Sequence, residues 1–237
     1  MSAPRGALVL LPGFLCDRTV WQDQIAALSD VVECTCADYG MLNSIPAMAD
    51  SVLRSAPDQF SVAGHSMGGR IVFEIYRQAP QRVRRMAVFD SGSAARSAGE
   101  IGQQEERRRR QLLAIARSEG MRTMALQWVQ GMVAPCRLQD HSLIESIVQM
   151  FERKSPDVFE AQMNALLGRP DATPVLAQIR CPALILTGRE DAWSPPATHQ
   201  LMAGAIPNAK LVIVPDSGHM STMEQPAAVA QAMRDWL

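Results

Sequence analysis

A serine at the tip of a glycine-flanked turn joins a strand-like run to a helix-like run, and few folds accommodate that arrangement. The stretch is Phe60-Ser61-Val62-Ala63-Gly64-His65-Ser66-Met67-Gly68-Gly69-Arg70-Ile71-Val72. It fits the pattern Gly-x-Ser-x-Gly. Phe60 to Ala63 reads as a short apolar strand, and Ile71, Val72 and Ile75 recur afterwards at helical spacing. Ala79-Pro80 ends that helix, because proline cannot continue it. A sharp strand-to-helix turn lifts Ser66 toward a substrate, and glycines at 64 and 68 allow neighbouring backbone to pass close by. A serine hydroxyl is a weak nucleophile unless a base takes its proton and hydrogen-bond donors receive the developing oxyanion. The start of the following helix supplies N–H groups and a partial positive charge at that spot.

The rest of the chain fits a parallel sheet around this turn. Ala7 to Leu11 is a continuous apolar run, as expected of a strand buried on both faces, and Pro12-Gly13-Phe14 breaks it. Thr19 to Leu28 reads as a helix, Val31 to Cys36 as a strand and Ile45 to Leu53 as a helix. Met86 to Phe89 is a further strand, ending at Asp90. Alternation of this kind predicts an α/β fold. From Ser93 to about Pro170 no strand is evident. Met121, Met124, Ala125, Trp128, Val129 and Met132 form one helical stripe; Leu143, Ile144, Ile147, Val148 and Phe151 form another. Ser155-Pro156 opens a third helix, which Gly168 closes. The alternation then returns, with strands at Ala183 to Leu186 and Leu211 to Val214 and helices near Pro196 to Ala205 and from Pro226 onward. The expected division is a core of residues 1–92 and 171–237 with a helical lid of residues 93–170 inserted between its halves.

Composition narrows the partners. Over 237 residues the net charge is −1, which gives no reason to expect nucleic acid or a membrane surface. No apolar run approaches the roughly 18 residues of a membrane-spanning helix, and Met1 to Leu11 lacks the plan of a leader peptide. Five cysteines are simplest as free thiols in a reducing cytoplasm. No metal-ligand spacing occurs, so no metal or other cofactor is expected.

Four histidines are available as the base. His65 is expected to pack, His141 lies in the insertion, and His199 lies in a helix away from any strand end. His219 follows the last strand, and loops after parallel strands gather at the edge where Ser66 stands. An acid must orient the base. Asp191, after the strand at 183–186, is favoured by the order Ser…Asp…His; Asp90 holds the other edge position, and Asp216 is too near His219 in the same loop.

The chain resembles the α/β-hydrolase superfamily over nearly its full length. The resemblance rests on Gly13-Phe14, Gly64-His65-Ser66-Met67-Gly68-Gly69, Gly188-Arg189-Glu190-Asp191, and Gly218-His219 with Glu224-Gln225-Pro226. It is similar to small capped esterases, lactonases and cofactor-free peroxidase-like members. The resemblance implies a catalytic set of Ser66, Asp191 and His219, an oxyanion hole from the N–H groups of Phe14 and Met67, and a cap over residues 93–170. Where many relatives carry His-Gly, this chain has Pro12-Gly13, and its first strand starts too early for the usual antiparallel hairpin. A mostly parallel sheet of about six strands is therefore expected.

The expected function is hydrolysis of a small ester, lactone or thioester with an apolar acyl group. Carbon–carbon bond cleavage or a lyase reaction on the same residues, or a receptor with little turnover, are the alternatives. A serine rather than an aspartate at the elbow argues against dehalogenation. Trp128, Met132 and Trp193 are candidates for the pocket. Arg107 to Arg110, preceded by Glu105 and Glu106, reads first as a solvated helix face and second as an attractor of anionic substrate. Cys16 reads as a small buried filler.

Overall fold

The computed structural model describes residues 6–237; the first five residues of the segment read above for a leader lie outside it. Among the described residues, six strands form one all-parallel sheet: β1 (Gly6–Leu11), β2 (Val32–Cys36), β3 (Phe60–His65), β4 (Val83–Phe89), β5 (Ala183–Gly188) and β6 (Ala209–Val214). Their order is β2-β1-β3-β4-β5-β6. β3 and β5 are buried at every position, whereas the edge strands β2 and β6 are only partly covered. The continuous apolar runs thus fall in the centre, where both faces are packed.

The helices of the first half are α1 (Gln22–Ala27), α2 (Ile45–Ser55) and α3 (Met67–Gln78). The expected helix from Thr19 divides into a 3₁₀ turn, Arg18–Trp21, and the short α1. α2 starts where Ser44 accepts a hydrogen bond from the Ala47 N–H and Pro46 occupies the first turn.

Between β4 and β5 lie α4 (Gly99–Ser118), α5 (Met121–Trp128), α6 (His141–Glu152), α7 (Pro156–Leu167) and the four-residue α8 (Thr173–Leu176). α4 packs on α5 and α7, and α5 packs on α6. Asp140 and Ser155 cap α6 and α7 through the N–H groups of Leu143 and Val158. The stripe expected to run from Met121 to Met132 changes at Val129 into a 3₁₀ turn, Val129–Gly131. α9 (Pro196–Ala205), α10 (Ser221–Glu224) and α11 (Pro226–Trp236) complete the chain.

The order places β1 beside β3, with β2 on the far side of β1. Successive connections therefore leave in opposite directions at the β1–β3 boundary, and the crevice beyond those strand ends is the favoured ligand position in such sheets. Phe14 follows β1 and Ser66 follows β3, so both stand there. Contact is close: a Cβ on Gly68 would lie 2.1 Å from the Leu11 carbonyl oxygen, and one on Gly64 would lie 2.3 Å from the Gly68 backbone.

Candidate active site

Ser66 has φ 53° and ψ −113°, a conformation that is costly for a residue with a side chain. The turn holds it by two hydrogen bonds: the Ser66 N–H donates to the Phe89 carbonyl at 2.8 Å, and the Ser91 hydroxyl donates to the Ser66 carbonyl at 2.7 Å. Serines at helix N-caps ordinarily accept from their own helix. Ser66 does not; its Oγ lies 2.8 Å from His219 Nε2. On the other side of the ring, His219 Nδ1 lies 2.9 Å from Asp191 Oδ2.

Asp191 is buried, and its Oδ1 accepts from the N–H groups of Trp193 and Ser194, each at 2.9 Å. Burial pushes its carboxyl upward, but the charge and hydrogen bond of His219, with those two N–H groups, outweigh this and hold it below the usual carboxylate range. For His219, burial opposes protonation, but Asp191 outweighs it, with Asp90 and Glu224 adding to the pull, and its affinity for a proton is raised. With Asp191 ionised, Nδ1 carries the ring proton and donates it to the carboxylate. Nε2 is then left to accept from the Ser66 hydroxyl.

Asp90 goes elsewhere. Its Oδ1 accepts from the Gly188 N–H at 2.9 Å and its Oδ2 from the Ser221 hydroxyl and N–H. Burial, followed by the neighbouring Asp191 charge, pushes its carboxyl well above the usual range. The structure therefore sets Asp191, not Asp90, against the His219 ring. Asp216 is in the loop with φ 52°, and its backbone carbonyl accepts from the Gln225 side-chain amide at 3.1 Å.

The other histidines have separate settings. His65 is buried, and its Nε2 donates to the His219 carbonyl at 2.8 Å. Its ring lies against Gly13, where a Cβ would meet Nδ1 at 2.7 Å. Burial, then the His219 charge, lowers it to about 3, so it is neutral. His199 differs from expectation: α9 brings it to the end of β4, where Nε2 accepts from the Ser91 N–H at 3.1 Å. Burial lowers it to about 4. His141 is the first residue of α6.

Phe14 and Met67, the two residues expected to supply oxyanion N–H groups, both line the cavity that opens on Ser66. Among the described residues, neither donates to a protein acceptor outside its own helix or strand. The Phe14 ring meets Trp128 and Phe159 edge-on, at centroid distances of 5.3 and 4.9 Å. Leu15, next in the chain, has φ 60° and donates its N–H to Gln162 Oε1 at 2.8 Å. Helices α5 and α7 thus hold the loop after β1, a role that Pro12 cannot take with a side-chain hydrogen bond. Gln162 carries no motif; as an amide on an otherwise apolar face of α7 it was the one available signal.

A cavity of about 570 Å³ opens on Ser66 and His219. Trp128, Met132 and Trp193 all line it. Trp193 stacks on Trp128 at 5.4 Å and lies 4.9 Å from the His219 ring. The arginine run divides. Arg107 and Arg110 are exposed and pair with Glu100 and Glu106, as a solvated face should. Arg108 and Arg109 line the cavity, joined there by Arg70 and Arg169. Arg70, four residues after Ser66 and so on the same helix face, could have been read from spacing. Cys16 is buried near the cavity and its thiol is pushed far up by burial.

Glu224 is another residue that sequence reasoning did not assign a role. It is buried, and its carboxylate accepts from the N–H groups of Gly218, Met220 and Ala134 at 2.9, 3.1 and 2.7 Å. The His219 N–H donates to the Met132 carbonyl at 2.6 Å. The loop that carries His219 is thereby fastened to residues 132–134.

Comparison with known proteins gives a consistent picture. A family model described as "Alpha/beta hydrolase family" matches residues 8–232. A pimeloyl-[acyl-carrier protein] methyl ester esterase of Nitrosomonas europaea is 25% identical over 92% of this chain and 90% of that protein. Among solved structures, a thermophilic esterase from Thermogutta terrifontis, in a malate-bound form, is 29% identical with a TM-score of 0.86, covering 99% of this chain and 90% of that one. An enol-lactonase from Burkholderia xenovorans LB400 has a TM-score of 0.83 at 21% identity, covering 99% of this chain and 91% of that one, a likeness of fold.

Proposed function

This chain belongs to the α/β hydrolase family, and from that premise we propose that it is a serine hydrolase cleaving a small ester, lactone or thioester through Ser66, His219 and Asp191. The observation that carries the reading is the unbroken chain of hydrogen bonds from Ser66 Oγ to His219 at 2.8 Å and from His219 to Asp191 at 2.9 Å, at the wall of a cavity. Esterase relatives support ester hydrolysis as the class of reaction.

In this reading His219 Nε2 takes the Ser66 proton as Oγ attacks the acyl carbonyl. Asp191 steadies the imidazolium that forms. The Phe14 and Met67 N–H groups receive the oxyanion, and loss of one such donor costs about 2.7–4 kcal/mol in the barrier. His219 then protonates the leaving group and activates water against the acyl-enzyme. Residues 93–170 act as the cap, and Trp128, Met132 and Trp193 shape an apolar acyl pocket. The strained φ of Ser66 fits a nucleophile kept in place by its surroundings. Neither a metal nor another cofactor has a part in this scheme. Free cysteines throughout the described residues fit a reducing cytoplasm. Among those residues no helix is long and apolar enough to cross a membrane.

The test is turnover of p-nitrophenyl acyl esters by the wild type and Ser66→Ala, with a fluorophosphonate probe on both. Turnover and labelling are expected in the wild type and both vanish in Ser66→Ala. Labelling without turnover would move the reading to carbon–carbon cleavage, a lyase or a receptor. Absence of labelling in the wild type would sink it.

A further inference from the structure

The cavity on Ser66 has an apolar part and a strongly cationic part. Phe14, Trp128, Phe151 and Phe159 line the first. The second gathers guanidinium groups from three elements: Arg70 from α3, Arg108 and Arg109 from α4, and Arg169 just beyond α7. Two acidic residues line the cavity with them, Glu105 and Asp90. Asp90 is already engaged: its oxygens accept from the Gly188 N–H and from the Ser221 hydroxyl and N–H, and among the described residues no arginine pairs with it.

Glu105 is already shared. Arg169 binds it with both terminal nitrogens, each at 2.8 Å, and Arg109 Nε reaches it at 3.1 Å. That arrangement would suffice to fasten α4 to the end of α7. It does not account for the remaining charge. Arg70 donates to the Ala94 carbonyl at 2.8 Å, and among the described residues neither it nor Arg108 has a carboxylate within ion-pair distance. The Arg169 side chain is only 10% exposed, yet its Nε is buried with no hydrogen-bond partner among the described residues. Burial, then the charges of Arg169 and Arg109, pushes Arg70 down to about 9. A guanidinium keeps its proton in proteins, so the depression expresses chiefly the cost of burying a cation, with the neighbouring arginines adding to it and Glu105 offsetting part of it. Cations gathered in a half-buried site are costly unless an anion joins them.

We propose that the substrate is an ester carrying a carboxylate or phosphate group at the far end of an otherwise apolar acyl chain, seated against Arg70, Arg109 and Arg169. The inference rests on the serine-hydrolase reading above and narrows it. The Arg109 guanidinium lies 5.6 Å from the centroid of the Phe14 ring, so the cationic part adjoins the loop that supplies an oxyanion N–H. Arginine suits the task because its planar fork meets carboxylate and phosphate oxygens in pairs. Arg107 and Arg110, exposed and already paired on the outer face of α4, take no part.

The experiment compares kcat/KM for mono-p-nitrophenyl glutarate and for p-nitrophenyl valerate, in the wild type, Arg70→Gln and Arg109→Gln. The two esters differ in their remote end, carboxylate against methyl. A ratio of rates is unaffected by the fraction of a variant that folds. The wild type is expected to prefer the carboxylate ester by about tenfold to a hundredfold, the range of a charge-assisted hydrogen bond. Each variant should bring the ratio toward one. A second arm measures how glutarate and inorganic phosphate, at constant ionic strength, slow fluorophosphonate labelling of Ser66. Whichever protects better names the anion. A wild-type ratio at or below one, a ratio unchanged in both variants, or protection by neither anion overturns the proposal while leaving the hydrolase reading intact. Failure of Ser66 to label at all overturns both.

Discussion

At the scale of single residues, His219 lies between a carboxylate and a hydroxyl, and its proton affinity is a contest between burial and charge. Burial alone would lower it, and Asp191 reverses the sign. In the proposed reaction only the neutral ring can take the Ser66 proton, so a raised affinity would move the acid limb of kcat/KM to higher pH. Its midpoint is expected above 6.5, the ordinary histidine value. His65, at about 3, and His199, at about 4, stay neutral through that range and add no second limb. Asp191→Asn removes the charge that holds His219 up, and burial then prevails. The midpoint should fall below that of the wild type, and kcat should drop by about 10³–10⁴-fold as the ring loses its orienting acceptor. A pH–rate profile of both proteins checks this; an unmoved midpoint would mean that Asp191 does not govern the titration.

At the scale of elements, two glycines separate packing from propensity. Gly68 starts α3 where it crosses β1, and an added Cβ would lie 2.1 Å from the Leu11 carbonyl oxygen and 2.9 Å from that of Pro12. Both are backbone atoms, so nothing flexible can yield. Gly68→Ala should cost more than about 3 kcal/mol, beyond ordinary overpacking, and part the two loops that carry Phe14 and Ser66. Gly204 sits in α9 with nothing within 4 Å of an added Cβ. Gly204→Ala should stabilise by roughly 0.5–1 kcal/mol, because alanine loses less backbone freedom in a helix. Urea midpoints of the two variants should shift in opposite directions. Equal shifts would show that neither site behaves as its surroundings dictate.

Across the whole molecule, the helices between β4 and β5 are joined to the loops that follow β1 and β6. Glu224 accepts from Gly218 and Met220, on either side of His219, and also from Ala134 of the insertion. Met132 accepts from the His219 N–H, and Gln162 accepts from the Leu15 N–H. Glu224→Ala would leave three buried N–H groups without an acceptor, each costing about 1–3 kcal/mol. The expected result is a loss of about 3 kcal/mol or more in stability. Hydrogen exchange should quicken at residues 134, 218 and 220 together, because one carboxylate serves all three. Exchange that quickens in only one of the two segments would show that they open independently.

The sequence by itself determined the parts that depend on local spacing. Apolar runs without polar alternation mark β1, β3 and β5 because a central parallel strand is covered on both faces, and the Ser155-Pro156 cap marks α7 because capping involves neighbouring residues. That Ser66 and His219 would meet was legible for the same reason, since each follows a strand and strand ends share one edge. Its reach ended where two solutions had the same local form. Asp90 and Asp191 both follow parallel strands, and only the path of each loop sets Asp191 2.9 Å from His219 while Asp90 turns to Gly188 and Ser221. Arg107 to Arg110 are identical in sequence, but helical phase and the docking of α4 leave Arg107 and Arg110 paired on the outside, while Arg108, itself exposed, and the partly buried Arg109 line the cavity with Arg70 and Arg169. Glu224 became an anchor only through N–H groups from segments far apart in the chain. Those decisions belong to the tertiary structure, because hydrogen bonding and charge act over ångströms of space and the spacing of residues along a chain does not set such distances.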